Sequence, residues 1–149
     1  MPHSIAPATP KDLTEILELL ERAGLPRAGL DRHLSTTLVA RDTNGICGTA
    51  ALEVYGASAL LRSVAVSPER RGEGLGQALT AAALDLARAR NVRRVYLLTE
   101  TAGRFFPRFG FREIRRRDVD PAVLRSEEFT SACPDTALVM ETSRPAASA

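Results

Sequence analysis

Val64-Ala65-Val66-Ser67-Pro68-Glu69-Arg70-Arg71-Gly72-Glu73-Gly74-Leu75-Gly76 is the stretch that decides the fold. Apolar residues close a strand and Ser67-Pro68 ends it. The glycines at 72, 74 and 76 then lead into a helix that leucines 75, 79 and 86, with many alanines, extend to Arg90. The first backbone N–H groups of a helix have no partner within it, and the positive end of the helix dipole points to the same spot. Glycines let a ligand approach closely, so the arrangement is an anion cradle and a diphosphate is its natural guest.

Two common nucleotide motifs share this device and neither fits. In Gly72-Glu73-Gly74-Leu75-Gly76-Gln77, Gln77 stands where G-x-G-x-x-G needs its third glycine, and no first βαβ strand precedes it. A Walker loop would require Gly-Lys-Ser/Thr, which is absent. Arg71-x-x-Gly74-x-Gly76 after a strand ending in Val66-Ser67-Pro68 is what remains.

Upstream, residues 4–7 read as an edge strand. Thr9-Pro10-Lys11-Asp12 reads as a helix start, with N-cap, proline at the first helical position and an acid in the first turn. Leu13, Ile16, Leu17 and Leu20 recur at helical spacing until Gly24 and Pro26 stop them. A loop over 25–30 precedes a short helix containing His33. Residues 37–40 and 46–55 form a hairpin about Asn44-Gly45, and 59–66 is the next strand. Downstream, 95–99 is short and almost wholly apolar, as expected of a strand buried on both faces and lying beside 59–66. A short helix near 102–108, a turn at Gly110, a strand over 111–116, partial helix over 121–129, a last strand over 136–141 and a frayed tail over 143–149 complete one domain spanning 1–149.

Three features in order, Val66-Ser67-Pro68, the 71–76 loop and Phe105-Phe106-Pro107-Arg108-Phe109-Gly110-Phe111, resemble the GCN5-related N-acetyltransferase (GNAT) superfamily over nearly the whole chain. More narrowly, Gly24-Leu25-Pro26, Leu52-Glu53-Val54-Tyr55-Gly56, residues 60–66 and Leu97-Leu98-Thr99 resemble the N-acetyltransferases of bacterial arsenic-resistance operons. The resemblance implies an α/β fold with a mixed, mostly antiparallel sheet, splayed in its middle and carrying helices on both faces. It implies acetyl-coenzyme A as donor, with its diphosphate on the amides of Arg71, Gly72, Glu73, Gly74, Leu75, Gly76 and Gln77. The pantetheine arm would pair with the backbone near Val64 and Val66, and the Val64 N–H would polarise the thioester carbonyl. Many members carry a leaving-group tyrosine where this chain has Phe106, which has no proton to give.

The acceptor side rests on fewer signals. Glu53, in the strand before the donor strand, is the first candidate for general base through a raised pKa; the alternative is an exposed residue or an ion pair with Arg62. Glu100 is the second candidate, against a solvated helix cap. Arg62, beside Ser63 in an apolar strand, must have a partner: either it clamps an acidic group on the acceptor or it pairs with Glu53. Tyr55 could line the acceptor pocket, and Thr99 and Thr101 could bond substrate or cap the next helix. His33 carries low weight. The expected reaction is acetyl transfer to the primary amine of a small, anionic, amino-acid-like acceptor, arsenic- or phosphinothricin-like. The rivals are a peptide N-acetyltransferase, which needs an open groove, and a non-catalytic acetyl-coenzyme A sensor.

Composition sets the outer bounds. With 44% hydrophobic and 26% charged residues the chain is an ordinary globular one. No apolar run reaches spanning length and no signal peptide opens the sequence, so a cytoplasmic protein without a membrane partner is expected. Of the basic residues all but Lys11 are arginine, yet the net charge is only +2 and aromatics are 5%, which argues against nucleic acid. Cys47 and Cys133 lie outside any metal-binding spacing, so no metal is expected. The last strand and tail could pair across a two-fold axis to give a homodimer.

Overall fold

The computed structural model describes residues 4–132 and 136–143. Seven strands, β1 (Ser4–Pro7), β2 (Thr37–Asp42), β3 (Gly45–Tyr55), β4 (Ser58–Val66), β5 (Arg94–Thr99), β6 (Arg112–Glu113) and β7 (Leu138–Ser143), form one sheet in the order β1-β2-β3-β4-β5-β7-β6. All neighbours are antiparallel except β4 and β5. This is the expected mixed, mostly antiparallel α/β architecture.

Two helices cover opposite faces. In α1 (Leu13–Arg22), Ile16, Leu19 and Leu20 pack on Val39, Ala51 and Ala65. In α2 (Leu75–Ala89), Leu75, Leu79, Ala83, Leu84 and Ala87 pack on Leu38, Ala50, Leu52, Leu61 and Leu97. Strand alternation assigns odd and even positions to the two helices. Gly48 lets α2 lie close, since a Cβ there would come within 2.7 Å of Leu79 Cδ1. On the α1 face, Leu60, Tyr96 and Val139 are covered instead by Val119, Val123 and Phe129 from the segment between β6 and β7.

Two irregularities shape the middle of the sheet. First, β4 and β5 pair only through Ser58↔Arg94, Ala59↔Val95 and Leu60↔Tyr96, and beyond those residues they part. Second, Thr49↔Ala65 and Ala51↔Arg62 leave Ser63 and Val64 opposite the single residue Ala50, a bulge in which Ser63 adopts φ 60. A non-glycine residue there is strained, and bulges of this kind re-aim backbone and side chains.

Several short elements differ from expectation. The helix at the start of α1 is preceded by a 3-10 turn, Pro10–Asp12, whose Thr9 N–H donates to the Asp12 carboxylate at 2.8 Å. The segment holding His33 is a 3-10 turn, Leu30–Thr36, bent at His33. Residues 102–108 give only the 3-10 turn Phe106–Phe109, because Pro107 and the closely packed Phe105, Phe106 and Phe109 rings leave no helical stripe. The strand expected over 111–116 shrinks to β6: Arg112, Glu113, Arg115 and Arg116 offer no alternating apolar face, and a 3-10 turn, Arg116–Asp118, follows. Residues 121–129 hold a 3-10 turn, Val123–Arg125, and the start of a π turn, Glu128–Ala132. The last strand runs two residues beyond its expected end, taking in Ser143; the rest of the expected tail, 144–149, and Cys133 lie outside the described residues. No described helix is long and apolar enough to cross a membrane.

Leu79 is fully buried at the contact between α2 and the sheet. Leu79→Ala should therefore cost about 3 kcal/mol, the usual loss for a large core side chain that leaves a cavity. Urea unfolding followed by circular dichroism measures it.

Candidate active site

The turn from β4 into α2 presents the anion cradle in three dimensions. Gly72 and Gly74 sit at φ 85 and φ 81, in the left-handed region that glycine enters without a Cβ penalty. A Cβ at either would meet nothing within 4 Å, so the loop faces open space. Gly74 is the N-cap of α2 and caps nothing with a side chain, and the first turn holds no acidic residue. The outward amides and dipole of α2 are thus uncompensated from within. The Glu73 carboxylate, next to Gly74 in the chain, is 3.1 Å from Arg70, which is itself buried and paired to Asp42 at 2.5 Å. A cleft of about 390 Å³ runs over Val66, Arg71, Gly72, Gly74, Leu75, Gly76, Gln77 and Phe105.

Where β4 and β5 part, a second cleft of about 200 Å³ opens. Arg62, Ser63 and Val64 come to its wall from β4, Leu98 and Thr99 from β5, with Glu100, Thr101 and Phe106 beyond; Leu25, Pro26 and Glu128 close the opposite side. Phe106 is buried edge-on against Phe111, with ring centroids 5.7 Å apart. Thr99 accepts the Ala102 N–H at 2.9 Å, the capping alternative for this residue. Glu100 and Thr101 are exposed. A wider cleft of about 600 Å³ lies between α1 and the β2–β3 turn, but none of the candidate residues lines it.

Behind the second cleft lies a buried ionic cluster centred on Arg62, whose side chain has 0% exposure. Its Nη1 donates to Glu53 Oε2 at 2.8 Å and to the Ala28 carbonyl at 2.8 Å, and Nη2 donates to the Pro26 carbonyl at 3.1 Å. Nε donates to Ser63 Oγ at 3.0 Å and lies 3.2 Å from Glu128 Oε2. Glu53, 1% exposed, also accepts the Tyr55 hydroxyl at 2.5 Å and is 3.7 Å from His33 Nε2.

The electrostatics of Glu53 correct one expectation. Burial alone would raise its pKa, but hydrogen bonds from Tyr55, Arg62 and Ser126, with the nearby His33, outweigh it and hold the carboxyl below its ordinary value. A carboxylate so held is a poor proton acceptor, not the poised base that a raised pKa would give. Burial and the same bond push Tyr55 up to about 12. Burial lowers the His33 pKa despite the attraction of Glu53. Glu53, Tyr55 and His33 share a small recess with Arg125, on the far side of Arg62 from the strand opening.

The structure therefore brings Arg62, Ser63, Val64, Thr99, Glu100, Thr101 and Phe106 to the opening, and Val66 and the 71–77 loop, less Glu73, to the cradle. It sets Glu53 and Tyr55 apart. Glu128 is the wall residue that sequence reading missed, since residues 121–129 read only as partial helix; the available signal is that a buried arginine between strands calls for more than one anion. Cys47 is buried, its thiol pushed up chiefly by that burial, and no group of metal ligands occurs among the described residues.

A family model described as an acetyltransferase (GNAT) domain matches residues 33–113, more than half of the chain. No curated protein matches the sequence. Among solved structures, N-acetylglutamate synthase from Neisseria gonorrhoeae, complexed with coenzyme A and N-acetyl-glutamate, is similar at 22% identity and a TM-score of 0.82, covering 98% of this chain and 36% of that one. The chain thus spans about a third of that enzyme. Rv2747 from Mycobacterium tuberculosis, in complex with CoA, is 25% identical with a TM-score of 0.79, covering 94% of this chain and 98% of its own. The PaiA N-acetyltransferase from Thermoplasma acidophilum, in complex with coenzyme A, is 15% identical with a TM-score of 0.70, covering 96% and 99%.

Removing one member of a buried ion pair leaves the other uncompensated. Glu53→Gln should lower stability by about 3 kcal/mol at neutral pH, measured by urea unfolding. Because the folded-state pKa of Glu53 lies below the unfolded value near 4.5, its stabilisation is complete above that pH and lost as pH falls through the lower folded value. The variant should accordingly show a shallower loss of stability in acid than the parent.

Proposed function

The chain belongs to the acetyltransferase (GNAT) domain family, and on that premise we propose that it transfers the acetyl group of acetyl-coenzyme A to the primary amine of a small molecule. The observation that carries this reading is the succession of the two clefts along β4. An anion cradle at the N-terminus of α2 is followed along β4 by an opening between parallel strands, with a backbone bulge on its wall. The cradle suits a diphosphate by charge and by the open space at Gly72 and Gly74. Beyond Leu60 and Tyr96 no strand pairs β4 to β5, so an extended amide-bearing arm finds backbone partners there.

In the reaction the amine enters as an ammonium ion and loses one proton. Its lone pair forms the N–C bond while the C–S bond breaks, its electrons passing to sulfur; nitrogen releases a second proton. The products are an amide, a thiol and one proton. Val64 at the bulge is the residue whose N–H faces the developing charge on the carbonyl oxygen. With Glu53 held low behind Arg62, Glu100 at the exposed mouth is the carboxylate through which water carries a proton away. Phe106 offers no acid, and the modest basicity of a thiolate lets it leave without one.

A small acceptor fits better than a polypeptide. Val119, Val123 and Phe129 pack onto Leu60 and Tyr96, and Glu128 closes the cleft on that side, where a peptide would need an open groove. The clamp for an acidic amino-acid acceptor, arsenic-linked or phosphinothricin-like, would be Arg62; with that side chain bonded to Glu53, Ser63 and two carbonyls, support for such an acceptor comes from the subfamily resemblance and from the likeness to N-acetylglutamate synthase complexed with N-acetyl-glutamate.

Acceptor-dependent release of thiol from acetyl-coenzyme A tests the proposal, and coenzyme A binding without release by any amine would replace transfer with sensing. A carboxylate introduced into the cradle should repel a diphosphate. Gly74→Asp is accordingly expected to weaken coenzyme A binding in calorimetry at least tenfold, with the far-ultraviolet circular dichroism retained.

A further inference from the structure

Glu73 stands between Gly72 and Gly74 in the cradle loop, where a carboxylate should repel the anion that the loop amides attract. Yet of residues 70–77 it alone does not line the cradle cleft. The charged side chains that do line it, among the described residues, are Arg70 and Arg71. The Glu73 side chain is therefore turned away from the open face of its own loop.

Arg70 is the group that turns it. This residue ends the 3-10 turn Pro68–Arg70, immediately before the cradle, and its side chain is only 8% exposed. Its Nη1 donates to Glu73 Oε1 at 3.1 Å, its Nε donates to Asp42 Oδ2 at 2.8 Å, and its Nη2 lies 2.5 Å from that same oxygen. Asp42 is buried and accepts the Asn44 N–H at 2.7 Å, so the β2–β3 turn fixes it in place. Asp42 lines the wider cleft beside α1 and not the cradle, whereas Arg70 reaches both. The guanidinium is thus anchored away from the cradle and draws the Glu73 carboxylate toward that anchor. The Glu73 side chain is 46% exposed and lies three residues from Arg70, and a pair of that kind adds little to stability. What the pair decides is where a negative charge stands.

We propose that Arg70 is a positioning residue for the donor: anchored on Asp42, it holds the Glu73 carboxylate out of the cradle, so that the diphosphate meets the loop amides and Arg71 without a competing anion. This rests on the acetyl-transfer reading above and adds a residue to its donor site. Two other roles for Arg70 have different consequences. A direct ligand of the diphosphate would be needed whatever stood at position 73. A staple between the loop and the β2–β3 turn would act through Asp42 and be indifferent to the charge at 73.

Calorimetry of coenzyme A binding to the full chain tests the proposal, with two changes at the exposed position 73. Glu73→Asp keeps the charge but is one methylene shorter, withdrawing it from Arg70, and should weaken binding about tenfold. Glu73→Gln removes the charge and should tighten binding about twofold. The Glu73→Asp penalty should shrink as salt is raised. Arg70→Gln should weaken binding about tenfold, and adding Glu73→Gln to it should restore most of that loss. Because Arg70→Gln leaves Asp42 buried and uncompensated, the two changes at 73 decide the matter if that variant does not fold. Equal affinities of Glu73→Asp and Glu73→Gln, or an Arg70→Gln defect that Glu73→Gln leaves in place, overturn the inference while donor binding stands. A parent chain that binds no coenzyme A overturns the acetyl-transfer reading and this inference with it.

Discussion

The parting of β4 and β5 after Leu60 and Tyr96 is the constraint around which this molecule is arranged. Two parallel strands that separate inside a covered sheet expose backbone N–H and C=O groups in a place where water is scarce. Each buried group left unpaired costs about 1–3 kcal/mol. The sheet tolerates the opening because it is short and because β7 pairs the whole length of β5 from the other side. The bulge at Ser63 and Val64 belongs to the same solution: it lets β4 stay paired with β3 while turning away from β5. Helix α2 then begins after the turn over residues 67–74 that follows β4, which puts its N-terminus at one end of the opening.

Arg62 closes the other end. A guanidinium removed from water is expensive, and a buried ion pair seldom adds net stability over an apolar substitute. Here its bonds tie together four pieces of chain: the 26–28 loop, β3, the bulge and the turn holding Glu128. Its contribution is geometric. Residues that share no secondary structure become the fixed wall of a cleft, and Ser63 keeps its left-handed backbone beside the Nε donor.

Legibility in the sequence followed the range of the physics. The cradle could be read directly, because glycines, strand end and helix start are neighbours in the chain and each signal is local. β3 and β4 were equally plain as strands, and so was a buried arginine in need of a partner. Glu53 as that partner was one of two open readings; the depressed carboxyl followed only once Tyr55 and Ser126 were seen to bond it. Glu128 was illegible because its role comes from a turn that brings residue 128 against residue 62. The short β6 and the broken 121–132 segment were missed for another reason: their charged and irregular patterns carry no period, and tertiary packing of Val123 and Phe129 decides their conformation.

Sequence separation also divides the two halves of the site in time. The cradle is assembled mainly from one continuous stretch, residues 66–77, with Phe105 added from farther along the chain, whereas the hub on Arg62 joins residues 26, 28, 53, 62 and 128. Contacts of long range carry the larger loop-closure entropy, form late and are among the first lost in partial unfolding. The donor end can therefore be native while the acceptor wall is still open, a state in which the chain holds one reactant before the place for the other exists.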